Sequence, residues 1–274
     1  MLQVVTDSSC DLPEELIRSN NIRVIPLTIT VGGRSYLERV DITPEVFYEK
    51  MAQSKQLPKT SQPPPAAFAA AFRELADFGQ VICLTISSKL SGTYHSACLG
   101  RDLAGAGTAV FDTLAGSLGH GLQVLRACKL GQAGCTASEV LAELEEYRKH
   151  MKILILLNTL ENIVKGGRLS RFEGALASIL NIKVLLHNVD GAVELLEKVR
   201  GSKKFLRRVM ETIQEFCPAM SDRDVGITDF LNPVGSQQIQ QAMREQCPPR
   251  SIITNSMGAT MATYAGHGGM IVSF

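Results

Sequence analysis

An α/β protein of two units is what this sequence predicts: a mostly parallel sheet flanked by helices over residues 1–150, then a second α/β unit with a mixed, antiparallel-containing sheet over 151–274. Three observations carry that expectation. Through the first half, short β-rich runs alternate with stretches of helical period, as strands joined by crossover helices require. From KILILLN (152–158) onward the texture changes, and Asp190-Gly191 joins two strand-like runs, a strong hairpin signal. A chain of 274 residues that is 45% apolar can also bury one large core or two medium ones.

In chain order, LQVVT is the first strand. Asp11-Leu12-Pro13-Glu14 then opens a helix, with Asp11 as N-cap, Glu14 three residues on and Pro13 in the first turn. NIRVIPLTITV reads as extended, and Gly32-Gly33 turns it into RSYLE. Helices are expected over roughly 43–54 and 65–77, with KQLPKTSQPPPAAF as a Pro-rich break between them. The strand QVICLTI, a helix near 91–104, the strand TAVFD and helices near 115–130 and 137–149 complete the first unit. In the second, KILILLN leads into a helix-rich, Gly-punctuated stretch and the Asp190-Gly191 hairpin. A helix of about 203–216, DVGIT, a helix over 233–246, RSIIT and a terminal MIVSF strand follow.

Composition removes several function classes. A formal charge of +1, no Trp and few aromatics leave little footprint for nucleic acid. Seven cysteines, an odd number with no CxxC pair and no Cys/His cluster at zinc spacing, read as reduced thiols in a cytoplasm, with no metal. No run of about 18 uncharged apolar residues occurs, and the start has neither a basic leader nor a cleavage site, so no membrane insertion is expected. GxSxG, GxxxxGK[ST], HExxH and a strand-following GxGxxG are all absent, so independent catalysis and a cofactor are not expected.

The chemistry gathers at TISSKLSGTYHSA (85–97). If VICLTI is a parallel strand and the following segment a helix, Ser87, Ser88, Ser91 and Thr93 occupy the turn at the carboxyl edge of the sheet, where open α/β sheets bind ligands. LQVVT runs likewise into Asp7-Ser8-Ser9, and TAVFD into Thr113 and Ser117. Helix starts carry unpaired N–H groups, so small hydroxyls beside them make a receptacle for a carboxylate or phosphate. Each is equally an ordinary N-cap. Thr60 and Ser61 form a fourth such place, since Pro63, Pro64 and Pro65 stiffen the approach to the next helix. A polyproline connector with a cap accounts for the same residues.

Taken in order, TDSSCDLP, KTSQPPPAAF, SSKLSGTYHSA, FDTLAGSLGHG, VKGGRLS, LNIKVLL with its DG hairpin, KVRGSKK and the glycine-rich tail resemble the DegV family of bacterial fatty-acid-binding proteins over essentially the whole chain. The resemblance implies a long-chain fatty acid such as palmitate, held between the two units. It also implies a role as the lipid-presenting subunit of a fatty acid kinase, whose separate ATP-binding subunit phosphorylates the bound carboxylate for phospholipid synthesis. By resemblance, Thr60 and Ser91 match positions that hold the carboxylate, with Ser61, Gly92 and Thr93 adjacent. Gly92 allows close backbone approach, or simply eases a helix start.

The tail departs from the pattern. Where the family commonly shows a GTHTGPG-like run, this chain reads Ala262-Thr263-Tyr264-Ala265-Gly266-His267-Gly268. Tyr264 is expected to take the place of the family histidine at the ligand, next to Thr263, with His267 as the alternative. A phenol donates a hydrogen bond but stays neutral, so a charge-assisted contact is lost. Pro64 also stands where a serine is frequent. Among the basic residues of VKGGRLS and KVRGSKKFLRR, Arg168 is singled out because Gly166-Gly167 makes a turn that projects it. The family arginine at this spot is linked to docking the kinase near the phosphoryl site. Arg200 and Lys198 are secondary candidates, and solvated faces explain the other cations. Leu27, Ile29, Leu118, Ile163, Leu176 and Ile179 are candidates for a tunnel wall or for ordinary core. Two rivals stand beside this reading: a carrier or sensor of another amphiphilic acid, and a lipid hydrolase using Ser91 with His95 or His267.

Overall fold

A computed structural model describes residues 2–105, 107–169 and 182–274. The first 150 residues give β1 (Leu2–Asp7), a 3-10 turn over Ser8–Cys10, α1 (Glu14–Ser19), β2 (Arg23–Ile25), β3 (Thr28–Val31) and β4 (Arg34–Leu37). They continue with α2 (Pro44–Gln53), β5 (Lys59–Ser61), α3 (Pro65–Ala76), β6 (Gln80–Thr85), α4 (Thr93–Ala104), β7 (Ala109–Asp112), α5 (Ser117–Gln132) and α6 (Ala137–His150). The remainder gives β8 (Ile153–Leu157), α7 (Glu161–Lys165), β9 (Ile182–Val189), β10 (Ala192–Arg200), α8 (Ser202–Phe216), β11 (Asp224–Asp229), α9 (Pro233–Gln246), β12 (Ser251–Ser256), α10 (Ala259–Ala265) and β13 (Met270–Ser273).

The first sheet, ordered β2-β1-β6-β7, is parallel throughout, as βα alternation demands. Side chains alternate across it. Val4, Ile82 and Leu84 pack with Leu118, Val124, Val140 and Leu144 of α5 and α6, while Val5, Val81 and Cys83 pack with Phe68, Phe72 and Ala97 of α3 and α4. With both faces covered, β6 is apolar from Val81 to Leu84 rather than alternating.

The second sheet, β10-β9-β8-β13-β11-β12, is antiparallel at each pairing but β11–β12. Its central strand β8 divides two cores. Leu154 and Leu156 face α8 and α9, and Ile153, Ile155 and Leu157 face the side closed by α10. Asp190 and Gly191 both adopt positive φ (47° and 85°), as a two-residue hairpin between twisted strands requires.

Three features depart from the expected layout. The Pro-rich break contains β5, which pairs with β3 to make a small third sheet, β4-β3-β5. The glycine-rich tail contains α10, set between Gly258 and Gly266. And Asp11 does not cap α1. Pro13 holds that position, while Asp11 sits in the left-handed region (φ 51°) and turns its carboxylate inward.

That inward carboxylate belongs to a buried network. Asp11 Oδ1 accepts from the Gly258 N–H at 2.9 Å and Oδ2 from the Ser117 hydroxyl at 2.7 Å. Glu38 Oε1 accepts from the Thr260 N–H at 2.7 Å, and Oε2 from the hydroxyls of Ser8 and Thr260, each at 2.6 Å. Two carboxylates from the first half thus satisfy backbone donors at the start of α10. Burial raises the Asp11 carboxyl from the usual 3.8 to about 7; neighbouring Glu38 adds to the rise, and Ser117, Gly258 and Arg39 oppose it. Burial raises Glu38 in the same direction, against its bonds from Ser8 and Thr260.

Between 3.8 and about 7 the folded chain keeps an Asp11 proton that the unfolded chain has released. Stability therefore falls as pH rises across that window and is level outside it. Asp11→Asn removes this contribution, so urea midpoints taken from pH 4 to pH 8 decline less steeply in the variant, the residual slope including that of Glu38. Equal slopes in the two proteins would refute the assignment.

Candidate functional site

A slot opens between the two larger sheets. Its apolar walls are Ile153 and Ile155 of β8, Ile163 of α7, Ile271 of β13, and Leu27, Ile86 and Val193, with Met261 and Ala265 from one face of α10. The space between the walls is about 740 Å³ with its mouth included, yet a water centre fits in only about 70 Å³ of it. It is therefore narrow rather than an open vestibule. Polar side chains on the walls include Thr60, Ser91, Arg168, Asn188, Thr260 and Tyr264.

Three of those polar groups are joined by contacts, and a fourth, Ser91, follows in the chain the residue Leu90 that one of them bonds. Thr60 Oγ1 and Tyr264 Oη share a 2.6 Å hydrogen bond. The Arg168 guanidinium lies over the Tyr264 ring, 4.8 Å from its centroid, and its Nε donates to Leu90 O at 3.3 Å, next to Ser91. All four are half-buried, whereas Ile153, Ile155, Ile163 and Ile271 are buried, so the set lies at the end facing solvent.

Each is placed by local chemistry. Thr60 sits opposite Ile29 in the small sheet, and strand alternation turns it inward while Lys59 and Ser61 face solvent. Ser91 is carried by a tight turn in which its N–H donates to Ser87 O at 3.1 Å. The Ser87 hydroxyl in turn donates to Gly191 O at 2.7 Å, docking the β9–β10 hairpin on that turn. Tyr264 occupies the space left by the missing side chain of Gly166: a Cβ there would lie 2.4 Å from the ring. Gly167 follows with φ 70°, and Arg168 folds back over Tyr264 instead of projecting outward as its glycine turn suggests.

The structure does not bring the other candidates to the slot. Ser61 is exposed, and Arg200 is exposed at the end of β10. Gly92 is covered by Gln62, whose Oε1 would lie 1.9 Å from a Cβ at that position, so the close approach there is by a side chain of this chain. Thr93 is fully buried and shares a 2.8 Å bond with the Ser91 hydroxyl. Thr263 is buried and donates to Ala259 O within α10. His267 is exposed beside the Phe230 ring, and His95 is exposed on α4, so no histidine lines the slot among the described residues. That removes the geometric basis for a Ser91–histidine hydrolase there. Of the apolar candidates, Leu27 and Ile163 are on the wall, Ile29 is buried in the same core as Ile153, Ile155 and Ile163 without lining the slot, and Leu118 is core elsewhere. Leu176 and Ile179 lie outside the described residues.

The expected rim of free hydroxyls is also corrected. Ser8 and Ser117 serve Glu38 and Asp11, Ser9 donates to Asp7, and Thr113 donates to Thr85 O. Of the hydroxyls singled out in the sequence, Thr60 and Ser91 reach the slot, joined by Tyr264. Thr260 and Met261 were missed. Their spacing with Tyr264 and Ala265, one face of a helix, is the signal that would have revealed them.

Comparison with known proteins agrees with this architecture. The family model described as "Uncharacterised protein, DegV family" matches residues 1–274. A DegV domain-containing protein of Caldanaerobacter subterraneus is 34% identical over 272 residues, covering 97% of this chain and 95% of that one. A fatty-acid-binding DegV family protein from Thermus thermophilus superimposes with a TM-score of 0.92 at 32% identity, over 100% of this chain and 99% of its own. A DegV family protein from Ruminococcus gnavus, refined with vaccenic acid, gives 0.93 at 25% identity over 100% and 99% of the two chains. This chain belongs to the DegV family.

Proposed function

We propose that this protein binds a long-chain fatty acid in the slot, between a unit of residues 1–150 and one of 151–274, and presents its carboxylate to a separate ATP-binding kinase subunit that forms the acyl phosphate. The observation that carries the reading is the joining of Thr60, Tyr264, Arg168 and the Ser91 turn at the solvent end of an apolar slot. Each buried methylene is worth about 0.8 kcal/mol, so a sixteen-carbon tail supplies on the order of 10 kcal/mol before the costs of binding. The head group then needs only enough hydrogen bonds to offset its desolvation. Thr60, Ser91 and Tyr264 supply neutral donors; Ser61, Gly92 and Thr263 are their immediate neighbours in the chain, and Thr93 shares a hydrogen bond with the Ser91 hydroxyl. Arg168 stands beside the carboxylate as a forked cation suited to phosphate, and exposed Arg200 is a candidate contact for the kinase subunit. The fatty acids of the DegV relatives from Thermus thermophilus and Ruminococcus gnavus support the ligand class.

Four measurements test this. Denaturing the purified protein, extracting it and analysing the extract by mass spectrometry should recover a C14 to C18 acid at near-equimolar yield; a protein that neither yields nor takes up such an acid would sink the ligand reading. Thr60→Ala combined with Ser91→Ala should weaken acid binding by about 2 kcal/mol, roughly thirtyfold, and unchanged affinity would remove both residues from the site. Acid-loaded protein mixed with ATP and a candidate kinase subunit should form acyl phosphate; no transfer from a protein that holds the acid favours the carrier reading instead. Gly166→Ala, which drives a Cβ into the Tyr264 ring, should weaken binding about as much as Tyr264→Phe.

A further inference from the structure

The walls of the slot come from distant parts of the chain, and two buried carboxylates fasten them to one another. Glu38 accepts from the N–H and hydroxyl of Thr260, which is on the wall. It also accepts from the Ser8 hydroxyl, which itself accepts the N–H of Leu27, a second wall residue, at 3.0 Å. The Glu38 N–H donates to Leu27 O at 2.9 Å, so that wall is held from both ends. Asp11 accepts from Gly258, the residue before α10, and from Ser117, the residue after wall residue Gly116. Met261 of α10 rests against Gly116, its Cε 3.1 Å from where a Cβ would stand. The two carboxylates converge on α10, since a Cβ at Gly258 would lie 2.5 Å from Asp11 Oδ1 and 2.9 Å from Glu38 Oε1.

We propose that Glu38 and Asp11 are positioning residues of the acid-binding site: by fixing the start of α10 against Leu27 and Gly116, they set where Tyr264 presents its hydroxyl. Neither side chain lines the slot, so each acts through α10. The inference rests on the fatty-acid reading above. Its physical basis is that α10 is one short helix, Ala259–Ala265, flanked by Gly258 and Gly266 and carrying four wall residues. A helix this short does not hold its own place. Glu38 is a good anchor because a carboxylate only accepts, and three donors point at it. An amide in its place keeps the size but turns one acceptor into a donor facing the Ser8 and Thr260 hydroxyls.

The test compares wild type, Glu38→Gln, Asp11→Asn and Ser8→Ala, each freed of lipid, by hydrogen exchange over residues 259–265 and by palmitate titration, in the Tyr264 and Tyr264→Phe backgrounds. Exchange in α10 should quicken and palmitate affinity should fall about tenfold in Glu38→Gln, with the affinity loss shrinking to about twofold or less once Tyr264 is Phe. Non-additivity of that kind is not produced by a general loss of stability. Unchanged exchange overturns the proposal, and so does an affinity loss of equal size in both backgrounds. If Glu38→Gln does not fold, Asp11→Asn and Ser8→Ala carry the same comparison. If wild type takes no palmitate, the fatty-acid reading fails by itself, and the exchange measurement still decides whether the two carboxylates fix α10.

Discussion

A carboxylate withdrawn from water must be surrounded by donors, and this constraint arranges the centre of the molecule. Asp11 and Glu38 are each about 2% exposed, and the donors they need come from residues far away in sequence, with Thr260 lying 222 positions from Glu38 and Gly258 lying 247 from Asp11. Satisfying them brings the last short helix against the first strand–turn and the start of α5. The slot is the space left alongside: its polar end is made where α10 meets β5, and its apolar length where α10 lies over β8 and β13. The Tyr48 hydroxyl adds a further tie by donating to Met257 O, just ahead of α10.

The parts of the fold that were legible in the sequence are those fixed by local chemistry. Gly32-Gly33 and Asp190-Gly191 read as tight turns because few other residues accept two successive positive φ values, and both turns form. The strand and helix alternation was equally readable, since β6 and β8 are buried on both faces and show uninterrupted apolar runs. β5 was hidden because three prolines follow it, and propensity says nothing of a three-residue strand completed by pairing with β3. α10 was hidden for the opposite reason: glycines at both ends suggested a loop, and what stabilises the helix is tertiary.

The site was half legible, and the reason lies in what a hydroxyl looks like in sequence. Ser8, Ser117, Thr60 and Ser91 all stand near the ends of strands or the starts of helices, and nothing local separates one that serves a buried carboxylate from one that faces a cavity. Ser8 and Ser117 serve carboxylates, while Thr60 and Ser91 reach the slot. Asp11 shows the same ambiguity from the other side. A short acidic residue just before a Pro-Glu pair satisfies every local rule for an N-cap, yet its oxygens are taken by Ser117 and Gly258. Local rules rank partners within a few residues, and burial lets partners hundreds of residues apart win.

The pairing of Tyr264 with Arg168 bears on how an acid can be held firmly and still be reached by a second protein. A buried one-to-one ion pair would stabilise the carboxylate but bind up its oxygens and cost heavy desolvation. Here the guanidinium is already occupied: its carbon lies over the Tyr264 ring, Nε bonds Leu90 O and one Nη bonds Gly166 O at 2.5 Å. Its charge still favours an ionised group nearby, while the short-range bonds at that end are left to the hydroxyls of Thr60, Ser91 and Tyr264. Under the proposed reading this division of labour leaves the carboxylate ionised, and hence nucleophilic, with neutral partners that a transferring phosphoryl group does not have to displace as a salt bridge. Among the described residues the second Nη has no partner, and under the same reading its donors would serve the added phosphate oxygens, which is where a forked cation has its advantage over an ammonium.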